Sequence, residues 1–505
     1  MNAPFLKDFD ALFPRRDTPP RDAEGVAWWF YLPLILFVAL DTLGLKLPRA
    51  MQFAAAVGSY LFLAWLAAKN VRRGVLCYLV FSLLSIRLSN LGKGGEALST
   101  FAELRFGSVT VNFLFGIALA FVAWRTFPST WKRPLAGKFL LLLLLSWGVL
   151  NGLLLSMVGV NYFGYFLSDL FRYSPIAVYL VLVLSLDADE MGKLMVGYVV
   201  GTLFLTVLSL GLGIYRTYGT LGNQFLLQNS GSKIFFPMLL LMGLHKRNCR
   251  WMLLAAAFYG FLILRGKTFV SGKESVFIFL FLPFFLLSAL PNQKFWKGGA
   301  LLFALAIFPF LAMVATWVRD YMAQTGHAYV AKFSYLLKLL TDFDYRAMAG
   351  DITLGSLANL VGEGLTLAEN LFGNAYYAVF GKGFGGALHD SFAYLWLDAG
   401  SGGYPAEAAA LDAYLTLHIA LFCIVLKLGL AGFVADLFLS ARLFFSRSPF
   451  AALAFLVLLT YMMATKESSL LCIVLLRCAT LDDPSLAREG LHWKLHHGCK
   501  KTLVH

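Results

Sequence analysis

The chain reads as an all-α polytopic membrane protein with one large extracytoplasmic loop, and three observations lead there. Hydrophobic residues make up 59% of its 505 residues and charged ones only 14%, a balance foreign to soluble domains. Apolar runs recur at lengths near the roughly 20 residues that carry a helix across a bilayer. Alternating strands of the barrel type are absent, and backbone groups in hydrocarbon need internal partners, so the runs are predicted to be helices.

About fourteen crossings (12–14) follow in order, near 27–45, 51–68, 74–90, 108–124, 138–158, 173–187, 194–214, 232–244, 251–264, 275–291, 298–318, 412–439, 449–465 and 468–480. They divide the chain into an N-terminal segment 1–26, a bundle 27–318, a loop subdomain 319–411, completing helices 412–480 and a basic tail 481–505. Met1 to Gly25 is polar, with neither an apolar h-region nor a cleavage site, so no signal peptide is expected. No repeat of fixed period is visible, nor the paired broken helices of an inverted-repeat transporter.

Basic residues in short loops orient the bundle. With the N-terminus cytoplasmic, the inner loops hold Lys69/Arg72/Arg73, Arg125/Lys132/Arg133/Lys138, Lys246/Arg247/Arg250, Lys294/Lys297 and Arg442/Arg447. The tail with Arg488, Lys494, Lys500 and Lys501 falls on the same side. One loop dissents: Asp187-Ala188-Asp189-Glu190 is acidic, although acids contribute little to the rule. Both termini are thus expected in the cytoplasm and residues 319–411 outside it. Much of the net charge of +14 is topology signal, and no motif of a nucleic-acid binder accompanies it. Cys77, Cys423, Cys472 and Cys478 fall in spans and Cys249 and Cys499 inside, so no disulfide framework holds the loop.

Within the loop, Ala331 to Leu340 and Leu354 to Leu371 have helical spacing, and Phe380 to Gly386 reads as a flexible turn. His389 to Ala399, rich in Phe392, Tyr394 and Trp396, is expected as a short interfacial helix stopped by the Gly400–Pro405 run. Several cations break the positive-inside pattern: Arg172, three residues after Asp169, then Arg216, the Arg265/Lys267/Lys273 group, Arg319 and Arg346. Such a set at the outer face suits a lipid-linked diphosphate, Arg gripping oxygens in pairs and Lys acting as a point charge. Snorkelling anchors at helix ends are the ordinary alternative. Asp41 and Arg87, toward the outer ends of their spans, are placed to pair or to line a cavity.

The order of motifs is informative. An outer Arg216-x-x-Gly219-x-x-x-Asn223 loop precedes Ser271-Gly272-Lys273, then the large loop with Gly381-Lys382-Gly383-Phe384-Gly385. His418 follows, with Gly429 and Gly432 at eleven and fourteen residues beyond. In that order the chain, over roughly 200–440, resembles the O-antigen polymerase and O-antigen ligase superfamily. It departs from the family where Ile419 follows His418 in place of Asn, and where Ser271-Gly272-Lys273 stands for Ser-Arg. His389 has Gly400 and Gly403 at the same spacings, so it competes with His418, which the long apolar span after it favours.

The resemblance implies a C-type glycosyltransferase fold in the bacterial inner membrane. Its substrate would be undecaprenyl-diphosphate-linked oligosaccharide, joined at the periplasmic face. His418 or His389 would be catalytic. Arg216, Arg265, Lys267, Lys273, Arg172, Arg319 and Arg346 would bind diphosphate, and Asn223, Lys382 and Trp396 glycan. Basic side chains can stabilise a departing diphosphate and a neutral His can take the acceptor proton. No loop carries an Asp-x-Asp pair or metal-spaced His/Asp cluster, so neither metal nor other cofactor is expected.

A polymerase for O-antigen, capsule or exopolysaccharide, working with a flippase and a chain-length regulator, is the leading reading. A ligase passing finished glycan to lipid A–core is the alternative, and a lipid-linked sugar transporter a third, drawing on Lys427, Asp436 and Arg477. The Gly381–Gly383 run is no P-loop, because its spacing is wrong and no strand precedes it. His492, His496, His497 and Cys499 read as part of a solvated basic tail.

Overall fold

The computed structural model describes residues 28–44, 47–85, 100–106, 109–211, 297–299, 355–390, 412–415, 417, 419–446, 448–460 and 466–487. These are mostly helical. In order come α1 (Trp28–Gly44), α2 (Arg49–Lys69), α3 (Val71–Leu84), strands β1 (Arg105–Phe106) and β2 (Val109–Thr110), and α4 (Val111–Thr126). Then follow α5 (Lys138–Met157), α6 (Phe163–Ser185), α7 (Ala188–Gly211), α8 (Gly355–Phe372), α9 (Ala375–Phe380), α10 (Ala420–Phe445), α11 (Pro449–Thr460) and α12 (Lys466–Asp482). Among the described residues α2, α5, α6 and α10 are long and apolar enough to cross a membrane. The expected spans at 232–244, 251–264 and 275–291 lie outside the described residues, as does all but the first two residues of that at 298–318.

Short loops force neighbouring helices antiparallel, so the bundle has two ends. Asn70 makes one such turn, its N–H closing α2 on Leu66 while its side chain accepts from the Arg73 N–H at the start of α3. α6 packs on α4, α5 and α12, and α10 on α5, α9 and α11. The core between them buries Tyr78, Tyr173, Phe30, Phe81 and Phe384. The antiparallel β1–β2 pair is a short link between α3 and α4.

One end is basic, and its cations are occupied with helix termini. Arg133 donates to the carbonyls of Leu184 at 3.1 Å and Leu186 at 2.6 Å, closing α6. Lys297 donates to Phe444 and Ser446 carbonyls at the end of α10, and Arg477 to that of Pro134. Those of Leu184, Leu186, Phe444 and Ser446 are orphan carbonyls at helix C-termini, which favour cations. The dissenting acidic loop belongs here. The Asp187 N–H meets Glu190 and the Glu190 N–H meets Asp187, a reciprocal cap that starts α7. Asp187 also pairs with Arg72 at 3.0 Å. Its acidity serves helix initiation, which is why it sits among cations.

Three expectations need correction. α6 begins at Phe163, ten residues before the predicted span at 173, so Asp169 and Arg172 lie inside a helix rather than at the end of an outer segment. The predicted span at 412 starts as helix only at Ala420, because Tyr414 is drawn into a bridge with Leu388. His389 and Asp390 are not helical, while 391–399 lies outside the described residues. The predicted helix at 354–371 is present as α8, and that at 331–340 lies outside the described residues. Asp41 accepts from the Phe101 N–H, and Arg87 lies outside the described residues.

Candidate functional site

Of Phe380 to Gly386, expected as a flexible turn, Gly381 to Gly386 is buried in the half of the bundle away from the basic end, and Phe380 is exposed. What admits it is a groove lined by glycine. Gly148 and Gly152 lie one turn apart on α5, and a Cβ on Gly152 would meet the backbone of Phe384. Small residues at this spacing let another backbone approach closely. Here the approaching backbone is a loop.

The opposite wall is the break in α10. Gly429 takes φ 62° and ψ −150° inside that helix, a conformation that only glycine adopts cheaply. The break releases carbonyls that a regular helix would use itself. Lys382 N–H donates to Leu426 O at 2.8 Å and Gly383 N–H to Lys427 O at 3.1 Å. Phe384 N–H donates to Gly148 O at 2.7 Å on the α5 side. Side chains complete the seat. Asn151 donates to the carbonyls of Phe380 and Gly381, and Asn161 to those of Lys382 and Phe384.

A buried ion pair fastens this segment to α6 and α10. Lys427 Nζ lies 2.5 Å from Asp169 Oδ2, and both side chains are fully buried. The same carboxylate accepts from the Gly385 N–H at 2.7 Å, and the same ammonium donates to Gly386 O at 2.7 Å. Lys382 Nζ donates to Ala387 O and to Asn370 Oδ1, each at 2.9 Å. Two ammonium groups therefore rest on adjacent carbonyls, 386 and 387.

Above them the chain reaches an exposed rim. Asn370 on α8 links the levels, accepting from Lys382 Nζ and His389 N–H and donating to His389 O at 2.8 Å. His389 Nδ1 lies 2.8 Å from the Asp412 carbonyl oxygen, with the Asp412 carboxylate at 3.8 Å. A carbonyl only accepts, so Nδ1 carries a proton, and in the neutral ring the lone pair falls on Nε2. The His389 side chain is 59% exposed, so that lone pair is open to a ligand. Asp412 Oδ1 also accepts from the Asp390 N–H, and Thr366 Oγ1 donates to Asp390. Burial raises the Tyr414 phenol, with Asp390 and Asp412 adding to the shift, so it stays a neutral donor.

Of the sequence-predicted site residues, the structure brings Lys382 and His389 together through Asn370. Arg172 is exposed, nine residues into α6 and immediately before Tyr173, whose ring packs on Phe384. His418, Arg216, Arg265, Lys267, Lys273, Arg319, Arg346, Asn223 and Trp396 lie outside the described residues. Sequence reasoning gave no site role to Asn151, Asn161, Asp169, Asn370 or Asp412. A signal existed for two of them: Asn151 interrupts a leucine run, and Asp169 is an acid amid apolar residues. Comparison with protein-family models, curated proteins and solved structures finds no match to this chain.

Proposed function

We propose that this chain is a membrane glycosyltransferase of the periplasmic face. It would move oligosaccharide from undecaprenyl diphosphate onto a lipid-linked repeat unit as a polysaccharide polymerase. The supporting observation is the exposed His389–Asp412 contact held over the glycine-rich seat, at the end opposite the basic rim. In the reaction an acceptor hydroxyl oxygen bonds to the anomeric carbon while the carbon–oxygen bond to diphosphate breaks. His389 Nε2 takes the hydroxyl proton, and cations stabilise the departing diphosphate. Lys382 and Lys427 act as positioning residues, since their ammonium groups are already bonded within the chain. Arg172 and the cations outside the described residues are the diphosphate ligands.

A deletion strain distinguishes the activities. A polymerase leaves single repeat units, a ligase leaves normal-length chains on undecaprenyl carrier, and intact polymer in both fractions would refute the reading. Within it, His389→Ala is expected to lose about 10²–10⁴-fold in transfer rate while still inserting. Full activity of His389→Ala together with an inactive His418→Ala would move the base to His418.

A further inference from the structure

The geometry points to a re-entrant hairpin: α9 and the glycine turn dip from the site end to about the middle of the bilayer, and the outer face of α9 lies against lipid acyl chains. The loop subdomain expected outside the membrane would therefore send one segment back into it.

Depth is the first support. α5 has 20 residues, about 30 Å at 1.5 Å per residue, close to one hydrocarbon thickness. Trp147 Nε1 donates to Phe380 O at 3.0 Å, and Trp147 lies ten residues before the helix end at Met157. That sets the end of α9 roughly 15 Å below the rim. α10 gives the same depth independently. A Cβ on Gly429, nine residues after Ala420, would press on the backbone of Val379.

Backbone accounting is the second. Non-helical chain at this depth is tolerated only where its polar groups are satisfied by protein. Each N–H from Gly381 to Gly386 has a partner: Tyr377 O, Leu426 O, Lys427 O, Gly148 O, Asp169 Oδ2 and Gly383 O in turn. A solvated loop has no need of such completeness.

The third is the face that remains. Phe372 is 79% exposed, and Tyr376, Val379 and Phe380 about 40% each. Tyr376 and Phe380 contact Asn151 and Trp147 of α5, a membrane-crossing helix by length and composition whose same face carries the exposed Leu150 and Leu154. The apolar surface of α9 continues the lipid-facing surface of α5, so acyl chains are the occupant that fits.

Spin labelling of the full chain in lipid vesicles tests this. Cys249→Ser and Cys499→Ser would be combined singly with Phe372→Cys, Val379→Cys or Asp412→Cys, leaving the four fully buried thiols native. Labels at 372 and 379 should collide several-fold more with oxygen than with a water-soluble nickel chelate, and the label at 412 should show the reverse. Nickel accessibility at 379 equal to that at 412 would overturn the proposal. Glycosyl transfer plays no part in this readout, so it stands or falls apart from the function proposed above.

Discussion

Asp169 and Lys427 lie 258 residues apart, and each is a charge that an apolar helix cannot bury alone. Together they neutralise each other and hold the two ends of the Gly385–Gly386 peptide. Removing one partner strands the other. Asp169→Ala or Lys427→Ala is expected to cost about 3–5 kcal/mol, read as lower detergent-solubilised thermal stability. Asp169→Leu with Lys427→Met should recover part of that loss, not all, because the loop amide and carbonyl stay unpartnered. A double variant no better than either single one would show that the pair is not the fastening. Hydropathy alone hid this contact. The acid and its polar neighbours make 163–172 less apolar than the run that follows, so hydropathy places the span only from 173.

At the scale of elements, α1, α2, α4 and α5 lie within three residues of their predicted spans, because apolar runs and basic turns are local signals. α3 ends six residues before its predicted end, and α7 begins six before its predicted start. The site element was not legible in the same way. Gly381–Gly386 looks like any glycine-rich turn until the groove at Gly148 and Gly152 is in place beside it. Gly152→Ala should displace Phe384 and cost about 1–3 kcal/mol by overpacking, with transfer lost in step. Gly58 on α2 supplies the contrast. Nothing lies within 4 Å of a Cβ there, so Gly58→Ala should stabilise by roughly 0.5–1 kcal/mol. Equal destabilisation at both positions would mean that helix glycines are generally required, and that the groove is not special.

Across the whole molecule the two ends differ in kind. One gathers Arg72, Arg133, Lys297 and Arg477 on carbonyls and a carboxylate of the turns and helix ends there, and the other gathers His389, Asp412 and the β1–β2 link. If the basic end faces the cytoplasm, an impermeant thiol reagent on intact cells should label Arg105→Cys and Asp412→Cys. Asn70→Cys should label only after permeabilisation. Labelling of Asn70→Cys in intact cells would reverse the orientation. The sequence by itself determined the helical membrane class, several helix positions and the clustering of cations in alternate loops. Hydropathy and charge are read over one helix length, and those properties need no more. Only the tertiary structure decided that the glycine run is buried, that α10 breaks at Gly429 to receive it, and that Asp169 is the counter-charge of Lys427. Each of these joins segments some 40 to 260 residues apart, where periodicity carries no information and packing alone chooses the partner.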